Sequence, residues 1–476
     1  MKMFNKEINL LYFIIPIGFL FRALFIMFGA KLYYGTETFW MGGDTPGWVD
    51  SIINLIEHGT YTIDFKSDIG YFFRPPGYSF YIGIFYLLSG KNLALMYQFI
   101  IWSQVLLDTL AIYLLYKTVC FAFSNTKIAL ITAILYAIYP FVIVWNAVVY
   151  AESTSVFFLL LSLYFFFHPS IKYKYVLSGI FISIAVLIRV QLIFMFPILG
   201  LIILFIYWGN TKNTISNLLQ FGLMTVIVYG SWPIRNYINY NKWVFSEEWE
   251  GYHHWSMDYI RFYEYIFSVQ TGEEPQNYQI IHGEKVTFPK DCYVVKGDST
   301  KLENVVKLCR TCGEGFSYFM RSAGVREDVV GKDDNCNEEI ERTFVALREN
   351  QKKYNSLNYY LWVPLSNLKK AIFKYTLAKP SESIVGKLAS LLFLFRTLLL
   401  LLGFMGLIIL LKYRLGGYLC VISFLYFCSW YFFDCFDYRS MEIRYFLQAD
   451  ILMLIPAAFV LYLLLTRFSF MKKYLA

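Results

Sequence analysis

Asp44 is the side chain in this sequence that most resembles a candidate base. It lies in the segment Gly42–Trp48, whose sequence is GGDTPGW, between a first apolar stretch and the next long one. A carboxylate held in a rigid turn can accept a proton from a hydroxyl group, as a general base does. Aspartate before Thr-Pro-Gly is also a frequent turn residue. The local sequence alone supports both interpretations.

Five further charged residues stand at the ends of apolar segments. Glu152 begins one after a short turn, where its ordinary role would be to stabilise a helix N-terminus. The others are arginines, at positions Arg74, Arg189, Arg235 and Arg444. A single such arginine is explained by snorkelling or by pairing with a carboxylate. Four at one level of a membrane predict a bound anion, and guanidinium groups are well suited to phosphate.

Composition places these residues in a membrane protein. The 476 residues are 58% hydrophobic and only 16% charged, and several apolar runs reach the roughly 20 residues that cross a bilayer. The run 10–28 has no small-residue cleavage site and is expected to stay in the membrane. The net charge of +8 is explained by where the charges lie along the chain, so no nucleic-acid partner is expected.

We expect about ten transmembrane helices in an all-α polytopic fold. They lie near residues 9–29, 94–116, 127–145, 152–167, 174–188, 191–208, 215–233, 389–411, 416–433 and 447–466. The basic residues of the short connections fall on one side if these helices alternate: Lys2, Lys6, Lys117, Lys127, Lys172, Lys174, Lys212, Lys412, Arg414, Arg467, Lys472 and Lys473. By the positive-inside rule that side is the cytoplasm. Asp44, Glu152 and the four arginines then lie on the opposite, extracytoplasmic face.

This topology divides the chain into three parts. Residues 1–233 form a transmembrane module with an outer loop at 30–93, residues 234–388 form an extracytoplasmic domain, and residues 389–476 add the C-terminal helices.

Two apolar segments are predicted to lie at the outer surface. Tyr78–Ser89 is too short to span a membrane and follows Pro75 and Pro76, so it is predicted as a surface helix. Asn358–Tyr375 mixes apolar residues and lysines, which is typical of an interfacial helix; a helix facing the core of the outer domain is the alternative. Arg22 and Arg396 fall within spans and should face the bundle interior.

Four of the eight cysteines lie in the outer domain: Cys292, Cys309, Cys312 and Cys336. An even number in an oxidising compartment predicts two disulfides, with three pairings open. Cys309 and Cys312 could instead form half of a zinc site, and free thiols are the third possibility.

The order of these motifs resembles the C-fold superfamily of membrane glycosyltransferases that use polyprenyl-phosphate sugars. The closer likeness is to the bacterial branch that contains protein O-mannosyltransferases and the aminoarabinose transferase of lipid A. The likeness rests on Asp44 in the first outer loop, the segment Arg74–Tyr78 (RPPGY), Glu152 after a later span, Trp232–Tyr237 (WPIRNY), and Arg444-Tyr445 before the last span. It covers about the first 240 residues well and the last 40 weakly.

The resemblance implies a C-fold bundle and an inverting transfer of a hexosyl or pentosyl group. Asp44 would be the general base, and Glu152 would orient the acceptor or the base, or help to hold a divalent ion. No cofactor is required by this scheme, a divalent metal ion is possible, and no metal ligands are assigned.

The resemblance also implies how the substrates are held. The donor phosphate would be bound by Arg235 and Arg444, next by Arg189, and by Arg74. Further substrate contacts are assigned to Tyr78, Trp48, Asn236 and Tyr445. Trp48 could stack on a sugar, although a place in an interfacial aromatic belt is the more ordinary explanation.

The partners implied are a polyprenyl-phosphate sugar donor, a lipid, glycan or protein acceptor, and membrane lipids. The location implied is a bacterial cytoplasmic membrane with the active site on the extracytoplasmic side. Two other classes remain open. A transporter or flippase of lipid-linked sugars would place polar residues near the midplane and often show repeated halves. A non-catalytic assembly protein would act through its outer domain.

Overall fold

The computed structural model describes residues 2–252, 255–272, 275–328, 333–373, 384–409, 414–439 and 442–467. Within these ranges the chain is helical and contains no β-strand. Helices long and apolar enough to cross a membrane are Leu10–Tyr34, Leu93–Phe123, Ser390–Leu407, Gly416–Tyr438 and Ile443–Arg467. The chain is therefore a multi-pass, all-α membrane protein, as the composition predicts.

Twenty α-helices follow one another along the described chain. In order they are α1 Lys2–Leu24, α2 Ala30–Tyr34, α3 Thr45–His58, α4 Pro76–Leu88, α5 Leu93–Phe123, α6 Thr126–Ala137, α7 Pro140–Trp145, α8 Glu152–Phe167, α9 Lys174–Ile188, α10 Met195–Ile206, α11 Thr211–Tyr240, α12 Met257–Val269, α13 Gln276–Ile281, α14 Asp298–Thr311, α15 Glu314–Ser322, α16 Asp334–Tyr354, α17 Val363–Phe373, α18 Ile384–Ile409, α19 Arg414–Phe432 and α20 Leu447–Arg467. Short 3₁₀ or π segments extend several of these helices: Phe25–Gly29, Asp68–Tyr71, Val190–Phe194, Lys290–Cys292, Asn358–Trp362, Phe433–Tyr438 and Ile443–Phe446.

Each of the ten predicted spans contains a helix, but several are short. The predicted span 127–145 is broken, because α6 ends at Ala137 and α7 begins at Pro140. Proline has no N–H to continue a helix and its ring clashes with the preceding turn. The apolar helices α6, α8, α9 and the continuous segment Val190–Ile206 are each shorter than a full membrane crossing.

The membrane helices share one hydrophobic core. Helix α5 packs against α1, α6 and α8, while α20 packs against α6, α18 and α19. Two glycines let α18 approach α20 closely: a Cβ at Gly403 would lie 2.9 Å from the Met453 side chain, and one at Gly406 would lie 2.5 Å from the Pro456 carbonyl oxygen. Small residues at helix contacts let the backbones of membrane helices approach closely.

A buried ion pair joins α1 to α5. Arg22 Nε lies 2.5 Å from Asp108 Oδ2, and both side chains are fully buried. Tyr136 and Asn146 also donate hydrogen bonds to the Asp108 carboxylate. Arg22 therefore faces the bundle interior, as predicted, and Asp108 is the partner that sequence reasoning did not find.

A second buried pair joins α18 to α20. Arg396 Nε lies 2.6 Å from Asp450 Oδ2, and the same carboxylate accepts hydrogen bonds from Tyr431 and Tyr139. Arg396 Nη1 also donates to the Ala371 carbonyl oxygen of α17 at 2.6 Å. This pair fixes the helices of the C-terminal end to one another.

The first outer loop contains two helices that lead to the candidate site. Helix α4 begins at Pro76 and packs against α3, α5 and α9. A Cβ at Gly77 would lie 2.6 Å from the Leu187 carbonyl carbon and 2.7 Å from the Ile188 nitrogen, at the end of α9. Only glycine permits this approach without a backbone shift, and the approach sets α4 directly beside Arg189.

Helices α12 to α16 enclose a separate hydrophobic core in the predicted outer domain. Cys312 is joined to Cys336 there, which confirms a disulfide. Cys292 and Cys309 are buried free thiols, so the expectation of a second disulfide is wrong. The zinc alternative also fails, because the Cys312 sulfur is already in the disulfide.

The predicted interfacial helix 358–375 corresponds to Asn358–Trp362 and α17; its last two residues lie outside the described ranges. Val363, Asn367 and Ala371 are buried against the bundle, and Asn367 donates to the Cys435 carbonyl oxygen. Trp362 and Phe373 are exposed. The segment thus presents one face to the bundle and an apolar face outward.

We expect Asp108→Leu to destabilise the protein by about 3–5 kcal/mol, because Arg22 would keep a buried charge without a counter-ion. The double variant Arg22→Met/Asp108→Leu should recover much of this loss, since no buried charge remains. Thermal unfolding of the purified protein in detergent measures both. A double variant less stable than the single one would contradict the assignment.

Candidate active site

Asp44 lies at the start of α3 with its carboxylate held between two arginines. Arg74 Nη2 is 3.1 Å from Asp44 Oδ1, and Arg444 Nη1 is 2.7 Å from Asp44 Oδ2. The carboxylate makes no capping hydrogen bond to its own helix. The turn-residue interpretation therefore does not account for the direction of this side chain, which points to the two guanidinium groups.

Arg74 connects the first loop to the beginning of the outer domain. Its Nη1 atom lies 2.8 Å from Glu247 Oε2, and its guanidinium carbon lies 5.0 Å from the centre of the buried Trp48 ring. Cation–π contacts of this kind hold a guanidinium in place. Burial alone would lower the pKa of Arg74, but attraction to Glu247 and Asp44 outweighs it and raises the pKa above its ordinary value.

Arg444 precedes α20 and reaches the same carboxylate from the other side. Its Nε atom lies 2.6 Å from Glu442 Oε2, and its guanidinium stands over the rings of Tyr150 and Tyr445. The Tyr150 hydroxyl also accepts a hydrogen bond of 3.4 Å from the Asp44 backbone N–H.

Burial and the attraction of nearby charges also oppose each other at Asp44. Burial alone would raise the pKa of its carboxyl group, but the charges of Arg74 and Arg444 pull the other way, and the pKa lies below its ordinary value. Opposite charges at this distance favour the ionised form. Asp44 is therefore a carboxylate at neutral pH and can accept a proton.

Glu152 and Arg189 form a second, deeper pair. Arg189 Nη1 donates to Glu152 Oε1 at 2.9 Å; Glu152 is fully buried and Arg189 is 6% exposed. The Tyr445 ring lies between the two pairs, with its centre 5.4 Å from the Arg189 guanidinium carbon and 5.0 Å from that of Arg444. The two pairs are thus neighbours in one polar site.

A cleft of about 380 Å³ opens beside this site. Its walls include the rings of Trp145 and Tyr150, which stack at 5.9 Å, and its charged lining comes from Glu442 and Arg444. A Cβ at Gly42 would overlap the Tyr150 hydroxyl, so the loop can pass this ring only with glycine there. A cleft with aromatic walls and a few charged groups is a typical small-ligand site.

The structure therefore brings most of the predicted charged residues together, but not all of them. Asp44, Glu152 and three of the arginines share one site, with Tyr445 between them. Arg235 lies elsewhere: it donates to the carbonyl oxygens of Tyr61 and Tyr71 at 2.9 and 3.0 Å. None of the hydrogen-bond partners found for Arg235 belongs to the Asp44 cluster. In this structure Arg235 tethers the outer loop to α11, and its role at a donor phosphate stays a prediction.

Three of the predicted substrate contacts are also buried in the protein. Asn236 is fully buried and donates to the Val244 carbonyl oxygen. Tyr78 is fully buried and donates to Gln104 at 2.5 Å. Trp48 is 3% exposed and supports Arg74. In this structure the polar groups of Asn236 and Tyr78 are already paired within the protein, and the substrate contacts assigned to these side chains stay a prediction.

Sequence reasoning missed two contributors. Glu247 is 173 residues from Arg74 along the chain, and no local pattern marks it. Tyr150 stands two residues before Glu152, and its position in the same short turn is the signal that could have identified it.

A divalent metal ion was left open by the sequence, and the carboxylates of the site are paired with arginines in this structure. Among the residues described, no group of three or more His, Cys, Asp or Glu side chains is arranged to hold a metal. Asp44, Glu152 and Glu442 each bond an arginine. The positive charge at these carboxylates comes from guanidinium groups.

One protein family resembles part of this chain in sequence. Residues 73–232 match the sequence profile of the dolichyl-phosphate-mannose-protein mannosyltransferase family. That stretch contains Arg74, Glu152 and Arg189, whereas Asp44 and Arg444 lie outside it. No curated protein sequence matches the chain.

The fold is shared with an archaeal enzyme. A structure of the oligosaccharyltransferase AglB from Archaeoglobus fulgidus, with an inhibitory peptide and a dolichol-phosphate, has a TM-score of 0.52 at 14% identity over 98% of this chain and 52% of that one. Another structure of that enzyme, with zinc and sulfate, has a TM-score of 0.50 at 13% identity over 97% and 50%. ArnT from Cupriavidus metallidurans, bound to undecaprenyl phosphate, has a TM-score of 0.36 at 11% identity over 88% and 73%.

The chain spans about half the length of the oligosaccharyltransferase it matches. At this identity the likeness concerns the fold alone. It confirms the predicted fold: the chain shares the helical membrane fold of that archaeal oligosaccharyltransferase.

We expect Arg235→Gln to lower the free energy of unfolding by about 1–3 kcal/mol, because the Tyr61 and Tyr71 carbonyl oxygens lose a charged donor. Thermal unfolding in detergent measures this. The control is Arg342→Gln, which removes only an exposed helix pair with Glu338 and should cost less than about 0.5 kcal/mol. Equal stability of the two variants would contradict the tethering role.

Proposed function

We propose that the protein is a glycosyltransferase that moves a sugar from a polyprenyl phosphate to a hydroxyl acceptor. The observation that carries this proposal is the Asp44 carboxylate held between Arg74 and Arg444 at the edge of a cleft. This contact puts a candidate base, the Asp44 carboxylate, beside two guanidinium groups that can bind an anion. The C-fold and the mannosyltransferase profile support it, and so does the dolichol-phosphate in the AglB structure of the same fold.

In this reaction Asp44 removes the proton from the acceptor hydroxyl while the hydroxyl oxygen attacks the anomeric carbon. The bond from that carbon to the phosphate oxygen breaks, and the polyprenyl phosphate leaves with the bonding electrons. Attack opposite the leaving group inverts the anomeric configuration. Holding the acceptor and donor in line supplies much of the acceleration.

Arg74 and Arg444 stabilise the charge that develops on the leaving phosphate. A bound phosphate also changes Asp44, because its negative charge offsets the pull of both arginines on the carboxylate. The pKa of Asp44 then rises, and a carboxylate of higher pKa is a stronger base. Donor binding would thereby activate the base.

We infer that the site faces the extracytoplasmic side, in a bacterial cytoplasmic membrane. Two features support that orientation. The topology predicted from the sequence puts the basic residues of the short connections on the opposite side, and the Cys312–Cys336 disulfide suits an oxidising compartment. Residues 234–388 would form the outer domain, beginning with a segment that supplies Glu247 to the site. The transferred group would be a hexose or a pentose, and the acceptor a lipid, glycan or protein.

We expect Asp44→Asn to reduce transfer about 100- to 10,000-fold, the range for loss of a general base, while donor binding remains. The assay measures release of polyprenyl phosphate from a panel of polyprenyl-phosphate sugars, with a cell-envelope extract as the acceptor source. Asp50→Asn is the matched control, since Asp50 is an exposed residue on the same helix. Normal transfer by a folded Asp44→Asn protein would refute the assignment.

The lowered pKa of Asp44 leads to a prediction about pH. Activity needs the ionised carboxylate, so it should fall as pH drops through the pKa of Asp44. Arg74→Gln removes one of the charges that lower this pKa, so the acid limb of the kcat/KM profile should move to higher pH. The limb is compared after each profile is scaled to its own maximum, with Arg261→Gln in the outer domain as control. An unmoved limb would show that Asp44 is not the titrating base.

A further inference from the structure

Beneath the Asp44 site, three buried side chains present polar atoms that have no partner. Glu152 and Gln448 are fully buried, and Arg189 is 6% exposed. Glu152 Oε2, Gln448 Oε1, and the Nε and Nη2 atoms of Arg189 make no hydrogen bond within the protein. Native structures seldom leave buried polar atoms unpaired, and each such atom needs an explanation.

These three side chains belong to one connected arrangement. Arg189 Nη1 donates to Glu152 Oε1 at 2.9 Å. The Ser155 hydroxyl donates to the Glu152 carbonyl oxygen at 2.8 Å and accepts from Gln448 Nε2 at 3.0 Å. The single hydroxyl proton of Ser155 is donated to the Glu152 carbonyl oxygen, so Ser155 can only accept from Gln448. The side-chain nitrogen of Gln448 therefore faces Ser155, and the side-chain oxygen of Gln448 is left as a free acceptor.

The free atoms consist of two donors and two acceptors. Nε and Nη2 lie on the same edge of the Arg189 guanidinium, where they can donate to one ligand together. Glu152 Oε2 and Gln448 Oε1 can only accept. A phosphate would satisfy the donors, but it has no proton for the acceptors, and Glu152 would repel it. A sugar hydroxyl both donates and accepts, so neighbouring hydroxyls of a sugar ring match the set.

We propose that Glu152, Arg189 and Gln448 form the subsite that binds hydroxyl groups of the donor sugar. This rests on the proposed function, and it moves Arg189 from the phosphate to the sugar. Arg74 and Arg444 remain for the phosphate. The Tyr445 ring lies between Arg189 and Arg444, as expected if the sugar and the phosphate of one donor occupy adjacent positions.

The subsite would also set which sugar is accepted. A site built to hydrogen-bond a hydroxyl rejects an analogue that lacks it far more strongly than an apolar pocket rejects a missing methylene. Gln448 suits such a role, because it is neutral and its loss leaves the Glu152–Arg189 pair in place.

The test is binding of lipid probes to the protein in nanodiscs. The probes are undecaprenyl phosphate and a panel of undecaprenyl-phosphate hexoses and pentoses. We expect the unaltered protein to bind at least one glycosylated probe more than tenfold tighter than undecaprenyl phosphate. Gln448→Leu should remove that preference while its affinity for undecaprenyl phosphate is unchanged. Gln351→Leu is the matched control, since Gln351 is a buried glutamine of the outer domain, and it should keep the preference.

A Gln448→Leu protein with the normal preference would overturn the inference and would mean that only water fills the subsite. Equal binding of all probes by the unaltered protein would overturn it too. In both cases weaker binding of undecaprenyl phosphate to Arg444→Ala would still support the proposed function. Binding of no probe by the unaltered protein would reject the proposed function and the inference with it. If the leucine variant has a lowered thermal midpoint, Gln448→Met keeps the unbranched shape and is subject to the same expectation.

Discussion

The site depends on one contact, the Asp44 carboxylate between Arg74 and Arg444. The contact joins parts of the chain that are distant in sequence, and Glu247 adds another through Arg74. The side chains of Asp44, Arg74 and Arg444 are 28%, 18% and 12% exposed, so each charge has lost much of its water. Such charges are tolerated only when paired, and the pairing therefore requires that all these segments be in place. The site is complete only in the folded bundle.

The helices that carry these segments are fixed by charges deeper in the bundle. Arg22 and Asp108 hold α1 against α5, and Arg396 and Asp450 hold α18 against α20. The first pair involves the helix that precedes the Asp44 loop, and the second involves the helix that follows Arg444. Each of these arginines is bonded to an aspartate, so the deep pairs fix the helices that carry the site.

Sequence reasoning located much of the site, because charged residues at the ends of apolar helices are rare and costly, and therefore visible. For this reason the sequence analysis could select Asp44, Glu152 and the three arginines that lie together in the structure. Arg235 also stands at the end of an apolar segment, but its N–H groups donate to backbone carbonyl oxygens. A sequence does not show where carbonyl groups point. The same limit applies to the cysteines: their number suggested two disulfides, while the distances in the fold allow the Cys312–Cys336 bridge and leave Cys292 and Cys309 buried as thiols. Glu247 could not be predicted at all, since only the folded chain brings it to Arg74.

The balance of charge explains how such a site can be stable without a ligand and still bind an anion. Glu442 is about half exposed, so it can leave Arg444 for water at a lower cost than the buried carboxylates can. On the proposed function, a phosphate that takes its place would keep Arg444 paired. The same exchange would bring negative charge next to Asp44 and raise its pKa toward that of an ordinary carboxyl group. Asp44 would then be a weak base held in ion pairs without donor and a stronger base with donor bound. In this way the ion pairs would couple the basicity of Asp44 to the presence of the sugar donor.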